Sequence, residues 1–462
     1  MNYSKGAHET IAERDVRTLM HPASDLSRHA EVGPIIMERG EGVYIYDAEG
    51  GRYLDAMAAL WCASLGYSEM RLVEAARKQM ERLPFYHIGR HRSNVPAINL
   101  ADALLAIAPK GLEKVLFATS GSEANEQAVK LMWFYHNAIG KLRKKKVISR
   151  VRGTHGATIF AASMTGSLAS HVGWDLPLAG VLHTDCPSHY IYGLPGESEA
   201  QYVDRIVGNL EQLIHQEGPE TIGAFIAEPV IGGGGIIVPP RGYFEKVQKI
   251  LKQYDILFIA DELVCGFGRT GCMFGCDTFG IQPDFMTVGK ALSAGYLPIS
   301  ATLVSGKVYE AVAAYSARLG DFAHSFTYAG HPTAAAVALE TLKIYQERDI
   351  VSVVRKAATY FQERMRAFRD HPIVGEVRGV GLIGALQLVK DKANRTSFIA
   401  EDGVGAVVQE AARKAGVILR VVPEAVQLCP PLIISPSEVD ELFDALKVGL
   451  DAGAQHARWA GL

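Results

Sequence analysis

The sequence predicts an α/β fold organised on one large, mainly parallel sheet, followed by a smaller α+β part. Three observations lead there. The 462 residues are 48% hydrophobic and 21% charged, an ordinary globular mixture long enough for two to four domains at roughly 100–200 residues each. From about residue 70, short apolar runs alternate with longer segments of helical period, the signature of βα units. Several of those runs end abruptly in polar residues, as strands do where an open sheet binds its ligand.

Taken in order, residues 1–40 are polar, with a helix-compatible stretch around Ala12–Leu19. Val43–Tyr46 and Arg52–Leu54 flank Ala48-Glu-Gly-Gly51, a hairpin signal. Seven apolar runs then read as buried strands: Val115–Ala118, Val147–Val151, Gly180–His183, Ala224–Ala227, Leu257–Ala260, Phe285–Val288 and Ser300–Val304. Helices are expected between them at Ser122–Ile139, Ala200–His215 and Tyr243–Gln253. Beyond Pro332, Thr333–Tyr345 and Val351–Arg369 read as helices. Strands at Val374–Arg378 and Gly384–Val389, with helices at Val404–Ala415 and Pro436–Leu450, complete the smaller part.

The balance of 47 basic and 50 acidic residues gives a net charge of −3, so no global field draws in nucleic acid or an anionic membrane. The one basic cluster, Lys141–Lys146, lacks interleaved aromatics and reads as a solvated face at a helix end. Six cysteines stand at 62, 186, 265, 272, 276 and 429 without metal-ligand spacing, so reduced, mostly buried thiols are expected and no metal site is assigned. No apolar run approaches the ~18 residues of a membrane span, and the N-terminus lacks a signal-peptide apolar region. A cytoplasmic protein without membrane or nucleic-acid partners is the expectation.

Three local patterns carry chemistry. Thr119–Glu126 follows a strand and opens a helix, where Gly121 permits close backbone approach and the hydroxyls of Ser120 and Ser122 join free helix N–H groups in favouring a phosphate. An ordinary serine cap would look the same. Asp261 and Glu262 stand where the run Leu257–Ala260 ends, and Gly289-Lys290 follows the neighbouring run. A partly desolvated lysine there has its amine available to attack a carbonyl. Gly266–Gly271 matches the letters of a dinucleotide fingerprint, but no helix opens within it and the acidic pair precedes it, which makes a nicotinamide oxidoreductase a remote alternative. An anion-binding helix start, a strand-tip aspartate and a strand-tip lysine together form what a pyridoxal phosphate enzyme requires.

Six segments extend the pattern: Asp55–Trp61, Ala118–Asn125, Ala227–Val230, Ala260–Gly271, Gly289-Lys290 and His324–Pro332. Together they resemble the class III, or omega-amino acid, aminotransferases of fold type I, most closely the amine–pyruvate and beta-alanine–pyruvate group, from about Gly33 to Leu450. The resemblance implies a large cofactor-binding domain over 61–330, a small domain over 331–462, and an N-terminal segment 1–60 that joins the small domain. It implies pyridoxal 5'-phosphate as cofactor, with Lys290 binding it covalently and moving the proton, and Asp261 pairing with the pyridine nitrogen. Ser120, Gly121 and Ser122 would hold the phosphate, and Thr327 would reach it from a neighbouring subunit of a homodimer or dimer of dimers. Leu263 would pack on one ring face, Glu228 would lie near Asp261, and His155 would border the ring. Arg420 would admit a substrate carboxylate or swing away for an apolar amine, and Trp61 and Tyr86 would be pocket walls.

One position departs from the family. An aromatic residue usually precedes His-Gly and stacks on the ring, whereas this chain has Thr154 before His155-Gly156. Val264 stands where relatives acting on gamma-amino acids often carry Gln, a leaning toward the amine–pyruvate group. The substrates implied are a small amine donor and a keto acid acceptor. A same-fold aminomutase or decarboxylase would share Lys290 and Asp261 and stays open at this point.

Overall fold

Seven strands form the central sheet in the order Leu112–Ala118, Ser300–Ser305, Phe285–Val288, Leu257–Asp261, Ile222–Ala227, Lys146–Arg150, Val181–Thr184. They coincide with the seven expected apolar runs to within a few residues. Ser300–Ser305 runs antiparallel to both neighbours, and the other pairings are parallel. The computed structural model describes residues 9–422 and 424–461. Residues 1–8 of the expected N-terminal segment, position 423 and the final residue lie outside the described residues.

The strand Ile222–Ala227 is buried at all six positions, because helices cover both faces of the sheet and a parallel strand there has no wet side. Phe225 is fully buried within it, and its truncation to Ala is expected to cost about 3–5 kcal/mol. The flanking helices start where the sequence supplies a cap. Ser120 and Glu123 form a reciprocal box before Gly121–Ala138, and Ser198 and Gln201 do the same before Glu199–Glu217. Helices at Met70–Arg82, Val95–Ile107 and Gly306–Leu319, which the sequence reading left unassigned, complete the cover.

The expected hairpin forms, with Tyr44–Asp47 antiparallel to Arg52–Asp55. Its second strand also pairs parallel with Val417–Ile418, so the beginning of the chain and its last quarter share one small sheet. A second antiparallel sheet joins Val374–Val380, Ile383–Asp391, Ala425–Leu428 and Arg420–Val422. The closing helix runs from Pro436 to Ala460, ten residues past the expected end. Gly449 and Gly453 interrupt its apolar period but let it lie against the helix Val404–Lys414: a Cβ at Gly449 would come 2.7 Å from the Val408 carbonyl oxygen.

The basic run is a solvated face only at Lys141–Arg143, which are exposed; Lys144 departs from that expectation. Lys144 is 5% exposed, and its ammonium donates to the carbonyls of Pro219, Ile222, Tyr254 and Asp255 at 2.9–3.2 Å. Burial draws this amine down to about 8. Lys141 pairs with Asp255 and Lys146 with Glu217, so the run clamps the helix end onto two strand edges. All six cysteines are unpaired, and four of them are buried. No helix among the described residues is long and apolar enough to cross a membrane.

Candidate active site

Five parallel strands deliver their next residues to one edge of the sheet. Leu112–Ala118 leads to Ser120–Ser122, Lys146–Arg150 to Thr154 and His155, Ile222–Ala227 to Glu228, Leu257–Asp261 to Asp261 itself, and Phe285–Val288 to Lys290. This is the carboxyl edge, where open α/β sheets bind ligands.

Asp261 is 2% exposed. Its Oδ2 accepts from Asn125 Nδ2 and from His155 Nδ1, both at 2.8 Å, and its Oδ1 accepts the Leu263 N–H at 3.1 Å. Oδ1 keeps lone-pair capacity for a further donor. Asn125 also donates to His155 O at 2.7 Å and accepts from Thr287 Oγ1 at 2.8 Å, so every polar atom of its side chain is engaged. Glu228 supports the other side of the loop, accepting the Thr154 N–H at 2.8 Å and the Gly232 N–H at 2.7 Å. Burial pushes its carboxyl above the usual range. Thr154 is exposed and leans on Gly233, where a Cβ would come 2.5 Å from its Oγ1.

At the helix start, Ser120 Oγ takes the Glu123 N–H and Ser120 O takes the Ala124 N–H. The N–H groups of Gly121 and Ser122, the first residues of an 18-residue helix, therefore face outward. Leu263 wedges between this start and the lysine-bearing tip. A Cβ at Gly121 would come 2.6 Å from Leu263 Cδ1, and one at Gly289 would come 2.8 Å from Cδ2. Ser122 Oγ accepts the Ala157 N–H at 3.0 Å, which leaves its hydroxyl hydrogen free to donate.

Lys290 is half-buried at φ 46°, in the left-handed region, and its Nζ lies 5.4 Å from the centroid of the Trp61 ring. The Arg420 guanidinium carbon lies 5.3 Å from the same centroid. Burial lowers the proton affinity of Arg420. Trp61 reaches this position from a loop with Ala58, Ala59 and Trp61 at φ 47°, 59° and 62°. The buried Asp55 carboxylate holds that loop through the N–H groups of Met57 and Ala59 and the Tyr67 hydroxyl.

Two expected residues stand apart. Thr327 is exposed, and Tyr86, 42% exposed, stacks on His87; among the described residues neither is hydrogen-bonded to the Lys290 cluster. Asn125 and Asp55 received no role from the sequence. Asn125 sits one helical turn after Gly121 on the same face, a spacing that places a buried polar side chain beneath the helix start.

The class III aminotransferase family model matches residues 26–450. Gamma-aminobutyrate transaminase 1, mitochondrial, of Oryza sativa subsp. japonica is 50% identical over 422 residues, covering 90% of this chain and 82% of the relative. The chain belongs to the class III aminotransferases. An omega transaminase from Pseudomonas jessenii solved in complex with PMP is 48% identical with a TM-score of 0.95, covering 98% of this chain and 99% of that one. A structure described as a transaminase with L-Ala is 49% identical with a TM-score of 0.90, covering 92% and 100%.

This class III aminotransferase is a transaminase that uses pyridoxal phosphate, and its fold is fold type I. The residues present fit the cofactor. A helix start with outward N–H groups and two serine hydroxyls suits its phosphate, Leu263 packed against Gly121 and Gly289 offers an apolar face beside it, and a buried carboxylate faces the edge with an acceptor to spare. His155 Nε2 and the Trp61 Nε1 donor are buried without a hydrogen-bond partner among the described residues.

Proposed function

We propose that this aminotransferase moves the amino group of an omega-amino acid or a primary amine to pyruvate. The observation that carries the reading is the Trp61 ring flanked by two cations, Lys290 Nζ at 5.4 Å and the Arg420 guanidinium at 5.3 Å. A donor with an amine at one end and a carboxylate at the other spans that ring, amine toward Lys290 and carboxylate toward Arg420. An apolar amine uses the same ring as a wall. Val264 in place of Gln and a neighbour described with L-Ala, whose deamination gives pyruvate, support the acceptor.

When bound, pyridoxal phosphate supplies an aldehyde that takes up the donor's nitrogen and a ring that accepts the electrons released when the donor loses its proton. Lys290 would hold the cofactor through Nζ, and the same amine would take up and return the donor's proton. Asp261 would pair with the ring nitrogen, and Asn125 and His155 hold its carboxylate in place by hydrogen bonds at 2.8 Å. Ser120, Gly121 and Ser122 bind the phosphate, with Thr327 reaching it from a second subunit. Leu263 covers one ring face. Glu228 fixes the loop bearing Thr154 and His155, and Tyr86 walls the entrance. Arg420, lowered by burial, gains most from a charge-assisted bidentate partner. The working form is a homodimer, and six unpaired thiols suit a reducing, cytoplasmic setting.

The test is product analysis with an omega-amino acid, a simple amine and pyruvate. Alanine formed in step with donor consumption supports the reading. Carbon dioxide release, or an intramolecular shift without an acceptor, would replace it with a decarboxylase or an aminomutase.

A further inference from the structure

Far along the chain from the strand tips, the N-terminal arm brings three metal-ligating side chains to one point. The helix Ile11–Thr18, capped by Thr10, carries Asp15, and the chain returns through His21 to a short helix that begins at His29. Asp15 Oδ1 lies 2.8 Å from His21 Nε2 and 3.3 Å from His29 Nε2. All three ligand atoms fall within 4.8 Å of one another. We propose that Asp15, His21 and His29 bind a divalent transition-metal ion of the zinc type.

The geometry carries the assignment. Zinc binds imidazole nitrogen and carboxylate oxygen at about 2.0–2.2 Å, which sets neighbouring ligand atoms about 3 Å apart around the ion. The two nitrogen–oxygen separations already have that size. The imidazole centroids are 4.0 Å apart with the rings tilted by 33°, both Nε2 atoms lie within 3.3 Å of the same carboxylate oxygen, and ring rotations admit an ion between them. Two imidazoles with one carboxylate select zinc, cobalt, nickel or copper over magnesium and calcium, which prefer oxygen. The side chains of Asp15 and His29 are 14% and 12% exposed, and that of His21 is 31% exposed, so two ligands are sheltered while the third side stays open to a water ligand.

Binding requires no redox change. In the present arrangement His29 Nε2 is hydrogen-bonded to Asp15 Oδ1 at 3.3 Å, and His21 Nε2 lies 2.8 Å from the same oxygen. On coordination each imidazole presents an unprotonated Nε2 and carries its proton at Nδ1, and the carboxylate oxygen exchanges its hydrogen bond with His29 for the ion. The consequence is mechanical. No residue of the helix Ile11–Thr18 is buried, so little packing holds it, and an ion on Asp15 and His29 would tie it to a segment fourteen residues further on. The five and seven residues between successive ligands match no familiar metal spacing, which is why the sequence does not announce the site.

Cobalt is the probe. The holoenzyme, treated with chelator and dialysed, is titrated with Co²⁺ and followed by visible ligand-field absorption and bound-metal analysis, alongside His21→Gln and His29→Gln. The expected result is one ion per chain in the unaltered protein and at least about 10-fold weaker binding in each variant, with transaminase activity retained in both. No stoichiometric binding by the unaltered protein, or equal binding by the variants, would overturn the proposal.

Discussion

Trp61 is the residue through which Arg420 and Lys290 become parts of one site, because both cations rest on its ring. A carboxylate gains a charge-assisted contact from Arg420, and an apolar amine gains none. Arg420→Ala should therefore raise KM for omega-amino acids and for pyruvate by about 10-fold or more while leaving KM for a simple alkyl or arylalkyl amine within a few-fold, the size of one lost charged hydrogen bond. Equal losses with both donor types, in steady-state kinetics, would make Arg420 structural. Asn125 offers the complementary case. It donates to Asp261 without lying on the substrate's path, and removing a hydrogen bond to a charged group costs about 1.5–3 kcal/mol. Asn125→Ala is expected to lower kcat by about 10- to 100-fold and to change the pH profile of kcat, because Asp261 loses one of its two side-chain donors. A fall in thermal stability with kcat and its pH profile unchanged would assign Asn125 to folding alone.

At the scale of elements, what the sequence conveys depends on whether a residue's role is fixed locally. Ser120, Asp261 and Lys290 are legible because each ends an apolar run, and the carboxyl end of a parallel strand is where a site forms. Asn125 and Lys144 are not, because their meaning comes from what packs over them: strand tips in one case, four backbone carbonyls in the other. Asp55 stands in a recognisable motif, but its task of holding a loop with three positive-φ residues becomes visible only in three dimensions. Asp55→Ala should release that loop, lowering Tm by several degrees and weakening donor binding together, measured by calorimetry and donor KM. The helix Gly121–Ala138 is tied to the sheet at its far end by His136, fully buried, whose Nε2 donates to Gly223 O at 3.1 Å. Burial draws this imidazole down to about 4 from 6.5. A base with a depressed folded-state value contributes stability that is present above about pH 6.5 and lost as pH falls toward 4. His136→Gln should remove roughly 1 kcal/mol of the stability difference between pH 7 and pH 5 in denaturant titrations. Identical pH dependence in both proteins would refute it.

Across the whole molecule, five strand ends, one helix start and a loop from the beginning of the chain converge on a single edge, and the small sheets formed by both ends of the chain bring Arg420 over it. The architecture was readable from periodicity because seven buried runs allow few other solutions. The meeting of Asp55 with Val417–Ile418 was not readable from periodicity, because it joins segments more than 350 residues apart; only the family resemblance implied that the first 60 residues join the small domain. The same convergence makes the central claim testable in one titration. The purified protein, carrying its cofactor, is mixed with an omega-amino acid in the absence of acceptor, then with pyruvate, and the visible absorbance of the lysine-bound cofactor is followed while alanine is quantified. The donor is expected to bleach the band, pyruvate to restore it with one alanine formed per site, and Lys290→Ala to show neither the band nor the cycle. Bleaching that pyruvate does not reverse, or a Lys290→Ala variant that completes the cycle, would contradict the claim.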